Sequence, residues 1–189
     1  MMKKIVLSLI FVSILVFGLT GCGKTNLNKN SQNNSSVSNS SEKRTAKNTL
    51  RDGESIQTND KNKSTRIVTG GTKIKMTFGD TVIYGVLNDS ETAKALIAKL
   101  PMEQHVSRYS HDFCGVTDAL PYSKDEEHYG WLNGDIDYAT DAPYFTILFE
   151  DEDVSEQYGS QVNIGVITSP ISDISKLQGS YDVKIELDK

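Results

Sequence analysis

Three histidines and one central cysteine are the side chains of this 189-residue chain best suited to metal or nucleophilic chemistry. His111 and Cys114 are three positions apart, a spacing that zinc ligands use. A zinc site needs a second such pair, and His105 and His128 do not supply one. A nucleophilic Cys114 would need a base held against it, and His111 alone is a slight basis for that role. The pattern therefore predicts neither a metal nor a cofactor.

Two other motifs share the composition of known sites but lack their context. The acidic run at residues 150–153 does not have the Asp-x-Asp-x-Asp-Gly spacing of a calcium loop, and it predicts a solvated hairpin tip. Residues 18–25 match the G-x-x-x-x-G-K-T pattern of phosphate-binding loops. That loop works between a buried strand and a helix, whereas an Asn/Ser tract follows here. Nucleotide binding is therefore not predicted.

The first 22 residues have the layout of a secretory leader. Lys3 and Lys4 precede an apolar run over residues 5–17, which is shorter than the roughly 20 residues of a membrane-spanning helix. Leu19-Thr20-Gly21-Cys22 resembles the lipobox of bacterial lipoproteins. That resemblance implies a signal peptide over residues 1–21 and acylation of Cys22, with palmitate as a typical chain. The mature protein would then be anchored at the extracytoplasmic face of the cell membrane.

A polar segment separates this leader from the first apolar pattern. Residues 23–66 contain no aromatic side chain and are rich in Asn, Ser, Lys and Thr, which predicts a disordered tether over residues 22–66. Residues 67–189 carry nine Lys and Arg against twenty-one Asp and Glu, a formal charge of −12. Because nucleic acid repels so acidic a domain, we exclude it as a partner.

Residues 67–189 alternate between strand patterns and two short helix patterns. Ile74, Met76 and Phe78 alternate with polar residues, and Gly79-Asp80 predicts a hairpin with residues 81–87. An apolar stripe with helical spacing follows over residues 93–100 and ends at Pro101. The remaining predicted elements are strands at 102–109, 134–138, 144–149, 162–167 and 183–187, a short helix at 170–177, and an irregular segment at 111–127. This pattern is typical of a mainly β barrel or sandwich.

The order of these elements resembles the bacterial cyclophilin-like domain family from about residue 73 to residue 187. The resemblance rests on a helix ending in Leu100-Pro101, a Gly134-Asp135-Ile136 turn, the aromatic strand at 144–149 and the closing strand. It implies a closed antiparallel barrel of about eight strands with two short helices, formed by residues 67–189. The implied relatives include peptidyl-prolyl isomerases, although fold alone does not carry activity over.

The resemblance also implies candidate site residues. Cyclophilins polarise the X–Pro bond with an arginine from a Phe-His-Arg segment, which this sequence lacks. Arg108 is the one arginine of residues 67–189 and lies between the helix and the Gly-Asp turn, so it is the candidate catalytic residue. Trp131, Tyr129 and Tyr144 bracket that turn and are candidates for lining a ligand groove.

The sequence therefore leads to two functional hypotheses. The first is a lipid-anchored binding or accessory module whose partner, besides the membrane, is a peptide, an envelope protein or a small molecule. The alternative is a peptidyl-prolyl isomerase that assists secreted proteins and needs no cofactor. Measurement of proline isomerisation, with Arg108→Ala as a control, distinguishes the two.

Overall fold

The computed structural model describes residues 43–189 of the chain. The leader, Cys22 and the first part of the tether lie outside the described residues. Two short α-helices are present, Glu91–Ile97 (α1) and Ile171–Ser175 (α2), with 3-10 helices at Ala46–Asn48, Lys124–Glu126 and Glu152–Gln157. The strands are Glu54–Ile56 (β1), Arg66–Val68 (β2), Thr72–Phe78 (β3), Thr81–Leu87 (β4), Met102–Arg108 (β5), Asp112–Val116 (β6), Asp135–Ala139 (β7), Tyr144–Leu148 (β8), Gln161–Ile167 (β9) and Ser180–Leu187 (β10).

Eight of these strands form a closed antiparallel barrel, so the predicted fold class is confirmed. The order around the barrel is β10-β3-β4-β9-β7-β8-β6-β5, and β5 pairs with β10 to close it. The predicted hairpin is β3–β4, in which Ile74 is opposite Gly85 and Phe78 is opposite Thr81. The two remaining strands, β1 and β2, pair only with each other.

The barrel interior is filled by alternate residues of the strands, as the period-2 patterns predict. Ile74, Met76 and Phe78 of β3 are all buried. Phe78 and Phe113 pack with their ring centroids 5.3 Å apart, at the centre of an aromatic group that includes Tyr181. Helix α1 is capped by Ser90, whose side chain accepts a hydrogen bond from the Ala93 backbone N–H at 3.0 Å.

Strand β6 lies in the segment that the sequence predicts to be irregular. Its residues pair with β5 on one side and β8 on the other, so that Phe113 is opposite both Arg108 and Ile147. The strand has only five residues and includes Gly115, which weakens its period-2 pattern. Pairing with two neighbours therefore forms this strand where the local signal is poor. No helix among residues 43–189 has both the length and the apolar character needed to span a bilayer.

Residues 43–68, here called the strap, pack against the barrel, although the sequence assigns residues up to 66 to the tether. The Ala46 N–H donates to the Tyr129 carbonyl at 3.1 Å, and the Thr65 N–H donates to the Asn133 carbonyl at 2.7 Å. Ala46 and Arg66 are almost fully buried. The folded unit therefore begins before residue 66, because these polar residues find buried partners that their composition does not reveal.

Candidate functional site

Arg108 lies at the end of β5 with its guanidinium group already engaged. Its side chain is 13% exposed and contacts Glu150 Oε1 at 3.4 Å. Nη1 and Nη2 also donate to the backbone carbonyls of Ser175 and Ser110, each at 3.3 Å. The guanidinium carbon is 4.3 Å from the centroid of the Phe149 ring. Such an arginine holds the end of the barrel together, and its donors are aimed at the protein itself.

Trp131 is buried beside the same end of the barrel. Its indole N–H donates to the Glu150 carbonyl at 2.8 Å, so Trp131 and Arg108 both contact Glu150. The indole ring packs against His111 and Tyr158, with centroid distances of 4.7 and 5.2 Å. Only 2% of Trp131 is exposed, which leaves little of the ring to contact a ligand.

The other two groove candidates are placed elsewhere. Tyr144 opens β8 and is opposite Val116 and Ala139, whereas Glu150 follows the far end of the same strand. Tyr129 is 40% exposed and has the Lys43 ammonium group 4.8 Å from its ring centroid. The fold therefore brings Arg108 and Trp131 together, whereas Tyr144 lies at the other end of β8 and Tyr129 contacts Lys43.

The possible zinc ligands do not converge either. His105 is exposed and contacts Asp182 at 2.7 Å, while His128 is buried in another part of the molecule. Burial, together with the negative charge of Asp112, raises the pKa of the Cys114 thiol to about 12, so this cysteine is a poor nucleophile at neutral pH. Among residues 43–189 no group of three or more His, Cys, Asp or Glu side chains is arranged to hold a metal ion.

A cavity of about 350 Å³ lies between the strap and the barrel. We call it the strap pocket. Its charged and imidazole-bearing lining comes from the strap and from residues 125–128: Arg44, Arg51, Glu54, Asp125, Glu126 and His128. The volume is within the range of roughly 300–1,000 Å³ that is usual for small-molecule sites.

Glu54 of the pocket lining belongs to a buried ion-pair network with Arg66 and Asp135. Arg66 donates to Asp135 through Nε at 2.9 Å and Nη2 at 3.1 Å, and to Glu54 through Nη1 at 2.8 Å. Burial by itself lowers the pKa of Arg66, but the two carboxylates outweigh that effect and raise it above its usual range. The arginine therefore stays charged and ties β1 and β2 of the strap to β7.

Strand β7 carries a second buried carboxyl group, Asp137. Its Oδ1 accepts a hydrogen bond from Asn163 Nδ2 at 2.8 Å, whereas Oδ2 has no partner in the described part of the chain. Burial raises the pKa of Asp137 well above its usual range, and the negative charge of Asp135 adds to the shift. Asn163 itself lines the strap pocket.

His128, a residue of the pocket lining, has a buried ring nitrogen without a hydrogen-bond partner in residues 43–189. The residue is 2% exposed, and its Nδ1 lies 3.1 Å from the Gly130 carbonyl. Because a carbonyl only accepts, Nδ1 carries the hydrogen and Nε2 is a bare acceptor. No hydrogen-bond partner for Nε2 is found within residues 43–189. Burial and the positive charge of Arg66 lower the pKa of His128 to about 4, so the ring is neutral at physiological pH.

Glu126, which also lines the cavity, carries a second buried acceptor. Its Oε1 is paired with Arg51 Nη1, and its Oε2 is buried with no partner in residues 43–189. Arg51 is also bound to Asp89 at 2.8 Å, and Arg44 donates to the Lys124 carbonyl at 3.0 Å. The cations of the pocket are therefore occupied by protein partners, while two acceptors are not.

Sequence reasoning missed this pocket because its residues are scattered from 44 to 163 and six of the ten belong to the predicted tether. One signal was available. Asp135 and Asp137 alternate with apolar residues in β7, and two carboxylates on one face of a buried strand demand a cation or a proton. Arg66, which ends the tether, is that cation.

Comparison with the sequence models of known protein families agrees with this architecture. The sequence model of the cyclophilin-like family matches residues 76–186, which is more than half of the chain. The chain therefore belongs to the cyclophilin-like family. A hypothetical protein of Archaeoglobus fulgidus, solved in solution, is similar over 62% of this chain and 95% of its own, with 14% identity and a TM-score of 0.47. No curated protein matches the chain.

Proposed function

We propose that this protein is a membrane-anchored lipoprotein whose cyclophilin-like barrel is a non-catalytic module that binds a small ligand in the strap pocket. The observation that carries the proposal is the buried His128 Nε2, an acceptor without a partner in the described residues that belongs to the lining of a 350 Å³ cavity. A buried polar atom left unsatisfied destabilises a fold by about 1–3 kcal/mol. A ligand that donates to it recovers that free energy.

The anchor would be an acyl chain on Cys22, as the lipobox-like sequence Leu19-Thr20-Gly21-Cys22 implies. The strap begins at residue 43, directly beside the pocket. The 21 residues from 22 to 42 span at most about 75 Å when fully extended. The pocket would therefore be held close to the outer face of the membrane, where it meets solutes of the envelope.

The geometry of Arg108 favours the binding module over the isomerase. An isomerase arginine must direct its donors at the substrate, whereas Arg108 directs them at Ser110, Ser175 and Glu150. The side chain is mostly buried against Phe149. Breaking these contacts would be necessary before the guanidinium group could reach a proline amide.

Two measurements on the purified full-length protein test this proposal. Native mass spectrometry of protein isolated from its own cell envelope should reveal a bound small molecule, and the His128→Phe variant should lose it. In a proline-peptide assay we expect no acceleration above background. Acceleration that disappears in Arg108→Ala would instead establish the isomerase, and a wild-type protein that binds nothing would overturn the binding module.

A further inference from the structure

The strap pocket has an uneven supply of hydrogen-bonding groups. Its two arginines are bound by protein acceptors: Arg51 by Asp89 and Glu126, Arg44 by Lys124 and Asp125. Two buried acceptor atoms, His128 Nε2 and Glu126 Oε2, have no donor within the described chain. What the pocket lacks is therefore N–H or O–H donors, not acceptors.

The charge of the pocket lining also disfavours an anionic ligand. Glu54, Asp125 and Glu126 outnumber Arg44 and Arg51, and His128 is neutral because burial lowers its pKa to about 4. The charged side chains of the lining therefore sum to a formal charge of −1. An anion would meet an excess of carboxylates and two bare acceptors, each of which repels it. A cation with several N–H donors is attracted by the excess of carboxylates and can donate hydrogen bonds to the two bare acceptors.

From these observations, and resting on the binding function proposed above, we infer that the strap pocket takes a small organic cation with a primary ammonium or guanidinium group. Such a head group donates to His128 Nε2 and, in a charge-assisted hydrogen bond, to Glu126 Oε2. The cavity of about 350 Å³ has room for the head group and a short carbon chain.

The strap takes part in this recognition. Arg51 of the strap is paired with Glu126 Oε1, which fixes the carboxylate and leaves Oε2 for the ligand. Glu54, also in the strap, is fully engaged: Oε2 accepts from Arg66 at 2.8 Å and from the Arg51 backbone N–H at 3.1 Å. Glu54 therefore supplies negative potential to the pocket, and Glu126 supplies the direct contact.

Titration calorimetry on the full-length protein tests the ligand class with probes of equal chain length. Putrescine and agmatine are the cationic probes, 1,4-butanediol is the neutral control, and succinate is the anionic control. We expect a cationic probe to bind and the two controls not to bind. Preferential binding of succinate would overturn the ligand class but leave the strap pocket as a binding site, provided that His128→Phe abolishes it.

Variants locate the binding site. Glu126→Gln and His128→Phe should each weaken binding of the cationic probe at least tenfold, and Glu103→Gln should leave it unchanged. Glu103 is an exposed carboxylate on β5, away from the pocket lining. Glu126 lies on a short surface helix, so its variant reports on binding even if His128→Phe fails to fold. Equal binding by wild type and Glu126→Gln would overturn the inference.

The ¹⁵N resonances of the histidine rings supply a readout that does not depend on affinity alone. A donor at Nε2 should shift the His128 Nε2 signal, while the rings of His105 and His111 serve as internal references. No shift and no heat at millimolar concentrations of either cationic probe would overturn the ligand class. The native mass spectrum described above would still report separately on whether the pocket binds anything.

Discussion

At the scale of single residues, Asp137 is the most unusual group in the protein. It is fully buried, one oxygen accepts from Asn163, and the other has no partner in the described residues. Asp135, two positions earlier on the same strand face, already neutralises Arg66. A second buried charge would be uncompensated, so burial raises the pKa of Asp137 well above its usual range and favours the neutral carboxyl group.

Asp137→Asn should stabilise the protein at neutral and alkaline pH. In the unfolded chain the carboxyl group ionises near its usual pKa of 3.8, whereas burial raises the folded-state pKa well above that value. The folded state therefore binds the extra proton between these two pKa values, and the free energy of unfolding falls as pH rises through them. An asparagine has no such proton to lose.

Urea unfolding of wild type and Asp137→Asn between pH 4 and pH 8 measures this difference. The variant should be more stable than wild type at pH 8, and the difference should be small at pH 4. His128 also makes stability depend on pH: because its pKa is lowered, the free energy of unfolding falls as pH drops from about 6.5 to about 4. This contribution is the same in both proteins and cancels when they are compared. Asp80→Asn, at an exposed turn, is the matched control. A constant difference across the pH range would contradict the assignment.

At the scale of elements, the strap is what distinguishes this molecule from a bare barrel. Its two short strands pair only with each other, so they depend on other contacts with the barrel to stay in place. Arg66 provides the main one by reaching Asp135 of β7, and Ser64 Oγ donates to the Ile167 carbonyl at 2.5 Å. The strap in turn forms one wall of the pocket.

A chain that begins at residue 67 should be less stable than one that begins at residue 43, by about 3–5 kcal/mol. The shorter chain loses Arg66 and leaves the Asp135 carboxylate buried without its partner. Urea unfolding of both chains measures the difference. Arg66→Met in the longer chain should reproduce much of the loss, since it removes the same charge. Equal stability of the two chains would show that the strap is not part of the folded unit.

Gly134→Ala should also destabilise the protein, because Gly134 has φ +96° and packs directly against Ser64 of the strap. A methyl group there is strained by the backbone and overlaps Ser64. Gly70→Ala is the matched control: its φ is +86°, but open space surrounds it. Thermal unfolding should show the larger loss for Gly134→Ala. Equal losses of stability would mean that backbone strain alone is responsible and that the strap moves to accommodate the methyl group without measurable cost.

At the scale of the whole molecule, the chain consists of a basic N-terminal part, which contains the proposed anchor, and an acidic domain. Residues 67–189 have a formal charge of −12, whereas residues 1–66 carry eleven Lys and Arg against four Asp and Glu. A basic segment beside an anionic membrane surface is attracted to it, but an acyl chain supplies stronger attachment. The proposed anchor therefore depends on Cys22 and not on the charge.

Cys22→Ser should abolish acylation and release the protein from the membrane fraction. Labelled palmitate should be incorporated into wild type and not into the variant. Cys114→Ser is the matched control, because Cys114 is the only other cysteine of the chain and is half-buried within the barrel. Recovery of Cys22→Ser in the membrane fraction at the level of wild type would contradict the anchor.

Strong local patterns predicted most of the barrel. The alternation in β3, the cap and stripe of α1 and the aromatic run of β8 each carry their own signal, and the structure contains all three. Strand β6 was missed because five residues with an internal glycine carry almost no periodicity. The family resemblance, predicted over residues 73–187, is confirmed over residues 76–186.

The amino-acid sequence by itself determined the fold class, the acidic character of the domain and the lipobox-like signal, because these depend on periodicity, composition and neighbouring residues. Only the tertiary structure decided that residues 43–66 fold with the barrel and that His128 and Glu126 share a cavity. The physical reason is that both results depend on contacts between residues that are far apart in the chain. A buried arginine and an unpaired imidazole nitrogen look the same in sequence as their solvated counterparts.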